Sequence, residues 1–323
     1  LRNGSALVAR LMRAAADAGV TFRVNAPALR LTSQDGRVTG AELGDGTTWH
    51  AARGVVLATG GYGHDAARRA ATFPRDAGHL SLAVPEATGD GLRLAEALGA
   101  QVADDLASPA ALCPVSHVRF PDGGEGRFPH IIERGKPGII AVRRDGRRFC
   151  DEALGYHDYV SALLRATPPD EPAESWLVCT RAFQRRWGLG ISRPAPLPLG
   201  PWVRSGYVVQ APTLRELAAR CGIAADALEA TVARFNADAR AGVDTEFGRG
   251  STPYGRLQGN PTHGPNPSLG VLEAGPFLAV KVVPGSFGTF AGLRGDGRAR
   301  VLDGAGAPIP GLWAAGTDMA SIM

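Results

Sequence analysis

The sequence predicts an α/β protein of two lobes, one assembled from both ends of the chain and the other inserted between them. Two glycine-rich strand exits carry this reading: GVVLATGGYG at Gly54–Gly63 and GLWAAGTDMAS at Gly311–Ser321. Each opens with a short apolar run and breaks into Gly with Thr or Asp, as a buried strand does where it meets a ligand. Without a Cβ in the way, backbone N–H groups there can approach a bound molecule closely. The third observation is a change of texture between the exits, from glycine-rich turns to a Pro-rich stretch and then to a helical region with its own apolar stripe.

Residues 4–18 read as a helix, because Leu7, Leu11 and Ala14–Ala15 recur at helical spacing and Gly19 stops the run. The segment TFRVN at Thr21–Asn25 reads as a short strand. ALRLTSQDGRVTGAEL follows as a hairpin with a tight turn at Gln34–Arg37. Gly54–Leu57 is the strand of the first exit. ATGDGLRLAEALGA, Ala87–Ala100, is a second glycine-rich turn opening a helix. From about Pro109 the chain reads as irregular, then mixed, until FLAVKVV at Phe277–Val283 forms a strand. In the middle, Thr213 and Glu216 have capping-box spacing, Leu228, Val232 and Phe235 form a packing stripe, and Gly242 ends the helix. Phe247–Gly270 is too rich in Gly, Pro and Asn for a regular element and reads as a long connection.

Composition narrows the function classes. At 323 residues, with 44% hydrophobic and 20% charged residues, the chain is an ordinary globular protein with room for one large or two medium domains. No apolar run is long enough for a membrane span, and LRNGSALVARLM lacks a signal-peptide pattern, so the expectation is a cytoplasmic protein. Cys113, Cys150, Cys179 and Cys221 stand singly, which suggests neither a zinc site nor a disulfide framework, and no His/Asp/Glu set has metal-ligand spacing. The net charge of +4 is not a nucleic-acid footprint: the cations are almost all Arg and are spread beside acids. Even the cluster Arg143–Arg148, interrupted by Asp145 and followed by Asp151 and Glu152, reads as a solvated turn with local salt bridges.

Taken in order, NGSALVARLMRAAADAGVTFRVNAPALRL, ATGG at Ala58–Gly61, TGDG at Thr88–Gly91, GIIAVRRDGRRFCDE at Gly138–Glu152, GYHD, FGRG, PNPSLG, GPFLAVKVVPGSFGT and the second exit form a series over nearly the whole chain. This series resembles the FAD-dependent fumarate reductase/succinate dehydrogenase flavoprotein superfamily, and its 3-ketosteroid dehydrogenase-like branch in particular. The resemblance implies a discontinuous Rossmann-like FAD-binding domain, residues 1–110 and 269–323, with an inserted α+β capping domain at 111–268 that forms the substrate side. Such flavoproteins also carry a strand–GxGxxG–helix unit for the pyrophosphate, and this chain has none. The chain is therefore expected to be an internal fragment of a longer flavoprotein that alone holds FAD poorly or not at all.

The resemblance also assigns candidate residues. Ala28 and Leu29 would meet the adenine side, and Thr59, Gly60, Gly61 and Asp90 would lie along the phosphate–ribityl–flavin path. Thr289, Gly292, Gly316 and Thr317 would border the isoalloxazine, with Asp318 a rival of Thr317 for a ribityl hydroxyl. Tyr156 matches a catalytic-site tyrosine of ketosteroid dehydrogenases, and needs a neighbouring cation or hydrogen bond, from His157 or Arg148, to act as a base near pH 7. Glu152, His157 and Phe287 fall on the substrate side. Arg185, or Gln184 in a shifted register, falls near the proton-donating Arg of the fumarate reductases.

The implied activity is FAD-dependent dehydrogenation of a carbon–carbon bond next to a ketone, with hydride passing to flavin N5, a tyrosine assisting proton removal, and an unidentified electron acceptor. Two alternatives stand beside it: reduction of an unsaturated carboxylate, and a non-catalytic binding module. Fumarate reductases place a His before the flavin-edge Thr, where this chain has Phe287–Gly288; an apolar edge favours a steroid-like ketone.

Overall fold

A computed structural model of the chain describes residues 3–103, 105–120 and 122–321. The first elements are α1 (Asn3–Asp17), β1 (Ala28–Gln34), β2 (Arg37–Leu43), β3 (Thr48–His50), β4 (Val55–Leu57), α2 (Ala66–Thr72), β5 (Leu80–Ser81) and α3 (Asp90–Glu96). Next come β6 (Ala110–Arg119), β7 (Glu125–Pro129), β8 (Ile139–Val142), α4 (Tyr156–Ala166), β9 (Ser175–Thr180), α5 (Arg181–Trp187) and α6 (Gly200–Arg204). The rest are β10 (Val209–Ala211), α7 (Leu214–Cys221), α8 (Ala225–Ala241), α9 (Pro253–Gln258), β11 (Phe277–Thr289), β12 (Arg300–Leu302) and β13 (Pro308–Ala314).

The chain forms two compact units. The smaller contains residues 3–57, 93–101 and 294–315 among those described. Its β1–β2–β3 meander turns at Asp35 and Gly36, both with positive φ (49° and 74°), at the place the QDGR sequence predicts. A second sheet, β12–β13–β4, sets β13 parallel to β4 with Leu312 opposite Val55 and Ala314 opposite Leu57. The two strands that lead into the glycine-rich exits are therefore neighbours with the same direction. Glycine is required where they begin: Gly54 has φ 146°, and a Cβ there would run into the Gly311 carbonyl and the Trp313 ring. Leu31, Val38, Leu57, Val301, Leu312 and Ala314 make the core. The stripe that predicts α1 is not part of it, since Leu7 and Leu11 are both 60% exposed. Thr21–Asn25 has no ladder partner, so the strand expected there does not form.

The larger unit contains residues 58–92, 102–293 and 316–321 among those described. Its spine is β11, flanked by β6 and β9 in the order β7–β6–β11–β9–β8, with β5 and β10 pairing at its two ends. The β6 strand, ten residues long, replaces the irregular stretch expected after Pro109; its buried run Leu112–Val115 forms despite Pro114 within it. One sheet face is covered by α7 and α8, whose Leu217, Leu228, Val232 and Phe235 pack on Ile140, Val178 and Ala279. Thr213 Oγ1 accepts from the Glu216 N–H at 3.2 Å, and Gly242 closes α8 in the left-handed conformation. α4 packs on β6 and β11. The Phe247–Gly270 connection is ordered around α9, with Asn266 holding Gly242 O and the Ser268 N–H.

These units cut the chain at other places than the expected bounds of 110/111 and 268/269. A second difference concerns the arginine cluster. Arg143 pairs locally with Asp145, as a solvated turn would, but Arg144 reaches the buried Glu174, distant in sequence. Arg148 instead is buried: it donates to both oxygens of Glu152 (2.8 and 2.7 Å) and both of Asp244 (2.9 Å each), between the rings of Phe235 and Phe247. Fully buried Arg249 completes the network with a 3.0 Å bond to Glu152. Pairing of this kind offsets the cost of burying these charges.

Candidate active site

The glycine-rich loop after β4 and the loop after β13 are joined by one carboxylate. Asp318, with no exposed surface, accepts from the Gly61 N–H (2.8 Å), the Thr59 hydroxyl (3.0 Å) and the Thr59 N–H. Thr59 Oγ1 in turn accepts from the Gly91 N–H at 3.0 Å, which brings in the start of α3. Room at this junction is measured by its glycines. A Cβ on Gly91 would lie 2.5 Å from Asp318 Oδ2 and 2.8 Å from Thr59 Oγ1, and one on Gly61 would strike the Thr289 hydroxyl. Gly60 and Gly316 face open space, with nothing nearer than the Ala87 Cβ at 3.8 Å. Thr59, Asp90, Gly316 and Thr317 are exposed around this space.

These residues fit a flavin nucleotide. A rim of exposed Thr, Asp and backbone groups over two open glycines offers donors and acceptors to phosphate and ribityl oxygens, and lets the chain approach closely. Asp318 itself is not available, because its oxygens are filled by Thr59 and Gly61; of the two rivals, Thr317 is the exposed one. Gly292 lies behind the junction, where a Cβ would meet Met319 and the Asp318 carbonyl. Ala28 and Leu29 belong to the smaller unit, at the exposed start of β1.

The end of β11 connects this junction to an aromatic cluster. Buried Thr289 donates to the Thr317 carbonyl at 3.4 Å. Two residues earlier, Phe287 meets Tyr156 edge-on at 5.2 Å between ring centroids, and one residue later Phe290 stacks on His157 at 6.2 Å. Tyr156 and Phe287 are each 37% exposed, so the pair presents an aromatic surface to solvent. Gly155 caps α4 immediately before Tyr156, so the phenol stands at the helix's first position.

Other candidate residues stand elsewhere. Glu152 is 1% exposed, its carboxyl drawn below the usual range by Arg148 and Arg249 against the opposing effect of burial; it anchors the ion network and presents nothing to a substrate. Arg148, expected as a cation for Tyr156, is held by the same network. Arg185 is exposed on α5, whereas Gln184 is buried, its amide donating to Ser192 Oγ (3.0 Å) and the Arg193 carbonyl (2.9 Å). Among the described residues, neither is hydrogen-bonded to Tyr156, His157, Phe287 or Phe290. His130 is fully buried against Glu133 at 2.6 Å. The partnership of Phe290 with His157 and the joining role of Asp318 were not read from the sequence; the GTFAGL and GTDMAS motifs mark both positions but not their contacts. Among the described residues no group of His, Cys, Asp and Glu could hold a metal ion, no helix is long and apolar enough to cross a membrane, and all four cysteines are free and buried.

Comparison with known proteins gives the family. The FAD binding domain family model matches residues 1–323. The 4-oxocyclohex-2-ene-1-carboxylate 5-dehydrogenase of Sinomonas cyclohexanicum is 40% identical over 329 residues, covering 99% of this chain and 55% of the relative. The 3-oxosteroid 1-dehydrogenase of Mycolicibacterium smegmatis is 35% identical over 335 residues, covering 99% of this chain and 58% of that protein. In structure, 3-ketosteroid Δ1-dehydrogenase from Sterolibacterium denitrificans, solved with 1,4-androstadiene-3,17-dione, superposes with a TM-score of 0.87 at 31% identity, over 96% of this chain and 56% of that one. The chain belongs to the FAD binding domain family and has its α/β fold. It spans little more than half the length of these relatives.

Proposed function

We propose that the protein containing this chain is an FAD-dependent oxidoreductase that dehydrogenates a carbon–carbon bond next to a ketone, with an apolar ring ketone of the 3-ketosteroid kind as substrate. The observation that carries the reading is the end of β11. Within four residues the chain there supplies Thr289 to the glycine-rich junction, Phe287 to the exposed pair with Tyr156, and Phe290 to the stack on His157. A substrate lying on Phe287 and Tyr156 therefore sits next to the residues that would hold the flavin. The domain assignment follows: the glycine-rich loops serve FAD, and the 111–268 insert forms the substrate side.

When bound, the flavin supplies the hydride acceptor at N5. The chain's own residues do the rest. Thr59, Gly60, Gly61 and Thr317 bind and orient the cofactor, with Asp90 and Gly316 on the same rim. Phe287 and Phe290 exclude water from one side of the ketone. Tyr156, as its phenolate, takes the proton from the carbon beside the departing hydride and becomes the neutral phenol, with His157 the next residue of α4. Reduction of a dicarboxylate fits less well, because two carboxylates need fixed cationic donors and the exposed wall here is Tyr156 and Phe287. The two named relatives act on a ring ketone carboxylate and a steroid ketone, which supports the ring-ketone reading. The experiment is turnover of the flavin-loaded protein with a 3-ketosteroid against fumarate: ketone oxidation supports the reading, and fumarate reduction without it overturns it.

A further inference from the structure

Arg134 differs from the other buried arginines. It is 1% exposed, yet no carboxylate among the described residues lies within ion-pair distance of it, whereas Arg148 and Arg249 both sit on acids. Its five hydrogen bonds all go to main-chain carbonyls, on two separate segments. Nε donates to His130 O (2.8 Å) and Nη2 to Ile131 O (3.4 Å). On the other segment, Nη1 donates to Glu152 O (2.7 Å) and Leu154 O (3.4 Å), and Nη2 to Leu154 O (3.3 Å). The guanidinium also lies 4.9 Å over the Tyr159 ring, on α4.

The segment it holds is inverted in polarity. In His130–Arg134 the polar side chains point inwards: His130 and Glu133 bond each other at 2.6 Å, and Arg134 is buried. The apolar pair between them is outside, with Ile131 40% and Ile132 58% exposed. A loop normally does the reverse, since burying charge costs and burying isoleucine gains. The other segment runs directly into exposed Tyr156.

We propose that Arg134 is a positioning residue: its planar fork ties the Ile131–Ile132 segment to the Glu152–Leu154 turn, so that an apolar wall and the Tyr156 phenol are held as one piece against the substrate. This rests on the assignment of Tyr156 above. Only a guanidinium has donors enough, in a fixed plane, to serve carbonyls of both segments at once; a lysine ammonium keeps the charge but not the fork.

The test compares Arg134→Lys and Arg134→Met with the unaltered flavin-loaded protein. Lys restores a buried cation without the two-sided clamp. The expected result is that Arg134→Lys folds and keeps flavin, but loses about tenfold or more in the rate of flavin reduction at saturating 3-ketosteroid, the cost of a slightly misplaced base. The rise in KM should be greater for the four-ring ketone than for cyclohexenone, whose single ring presents less apolar surface to the isoleucines. Wild-type rate and KM in Arg134→Lys would overturn the proposal. Hydrogen exchange of the unaltered protein decides the matter even if neither variant folds. The amides of 130–134 and 152–156 should open together, and separate opening contradicts the clamp. If the unaltered protein reduces no ketone, the functional reading fails while the exchange result still judges the clamp.

Discussion

Replacing Asp318 by Asn tests whether one carboxylate assembles the cofactor junction. The change keeps size and shape and alters only the acceptor count. Asp318 Oδ1 takes the Gly61 N–H and the Thr59 hydroxyl, and Oδ2 takes the Thr59 N–H. Asn has one acceptor oxygen. Placed at Oδ1, it leaves its NH2 facing the Thr59 N–H; placed at Oδ2, it faces the Gly61 N–H. In either orientation one buried backbone donor loses its partner, at about 1–3 kcal/mol, and the surviving bonds lose their charge assistance, roughly another 1 kcal/mol. The sum, about 2–4 kcal/mol, corresponds in a chain of this size to a fall in Tm of roughly 3–6 °C. Thermal unfolding followed by circular dichroism, with flavin content after gel filtration measured on the same samples, reads both effects. A Tm within about 1 °C of the parent and full flavin content would refute the reasoning, because the loops would then be held by something else.

Tyr156→Phe should leave flavin content unchanged and cut ketone-dependent flavin reduction by about 10²-fold or more, read by stopped-flow absorbance; a rate near that of the parent removes the phenol from the mechanism. Gly91→Ala should impair flavin retention, since its Cβ would stand 2.5 Å from Asp318 Oδ2 and 2.8 Å from Thr59 Oγ1, and the dissociation constant for FAD measures this. Glu152→Gln should destabilise by about 3–5 kcal/mol by leaving Arg148 and Arg249 undercompensated, visible as a lower denaturant midpoint. Burial, assisted by Arg69, lowers His79 to about 4 from 6.5. The unfolded imidazole therefore binds a proton that the folded one refuses, so stability is level above pH 6.5 and falls as the pH drops from about 6.5 towards 4. His79→Gln should flatten the Tm profile in that window; an unchanged slope would assign it to other groups.

Local signals carried much of the fold. The QDGR turn, the Thr213 cap, the Gly242 stop and the two glycine-rich exits each depend on residues adjacent in sequence, and each forms where the pattern places it. The failures share a cause. Thr21–Asn25 is β-prone but finds no neighbouring strand, and β6 forms in spite of Pro114 because β11, far along the chain, pairs with it on the edge opposite the adjacent β7. Arg148 looked solvated because its partner Asp244 lies 96 residues away. The site shows the same division. Its glycines, Thr289 and Tyr156 sit in motifs, but the filling of Asp318 by Thr59 and the pairing of Phe290 with His157 are tertiary facts. Residues such as Ile131 and Arg134 had no motif at all, and only their inverted burial makes them visible.

The most direct test of the account is anaerobic titration of the flavin-loaded protein with a 3-ketosteroid, followed by flavin absorbance. The account predicts rapid bleaching of the oxidised flavin bands, stoichiometric with desaturated ketone. An unchanged spectrum, with the reduced flavin instead reoxidised by fumarate, would contradict it.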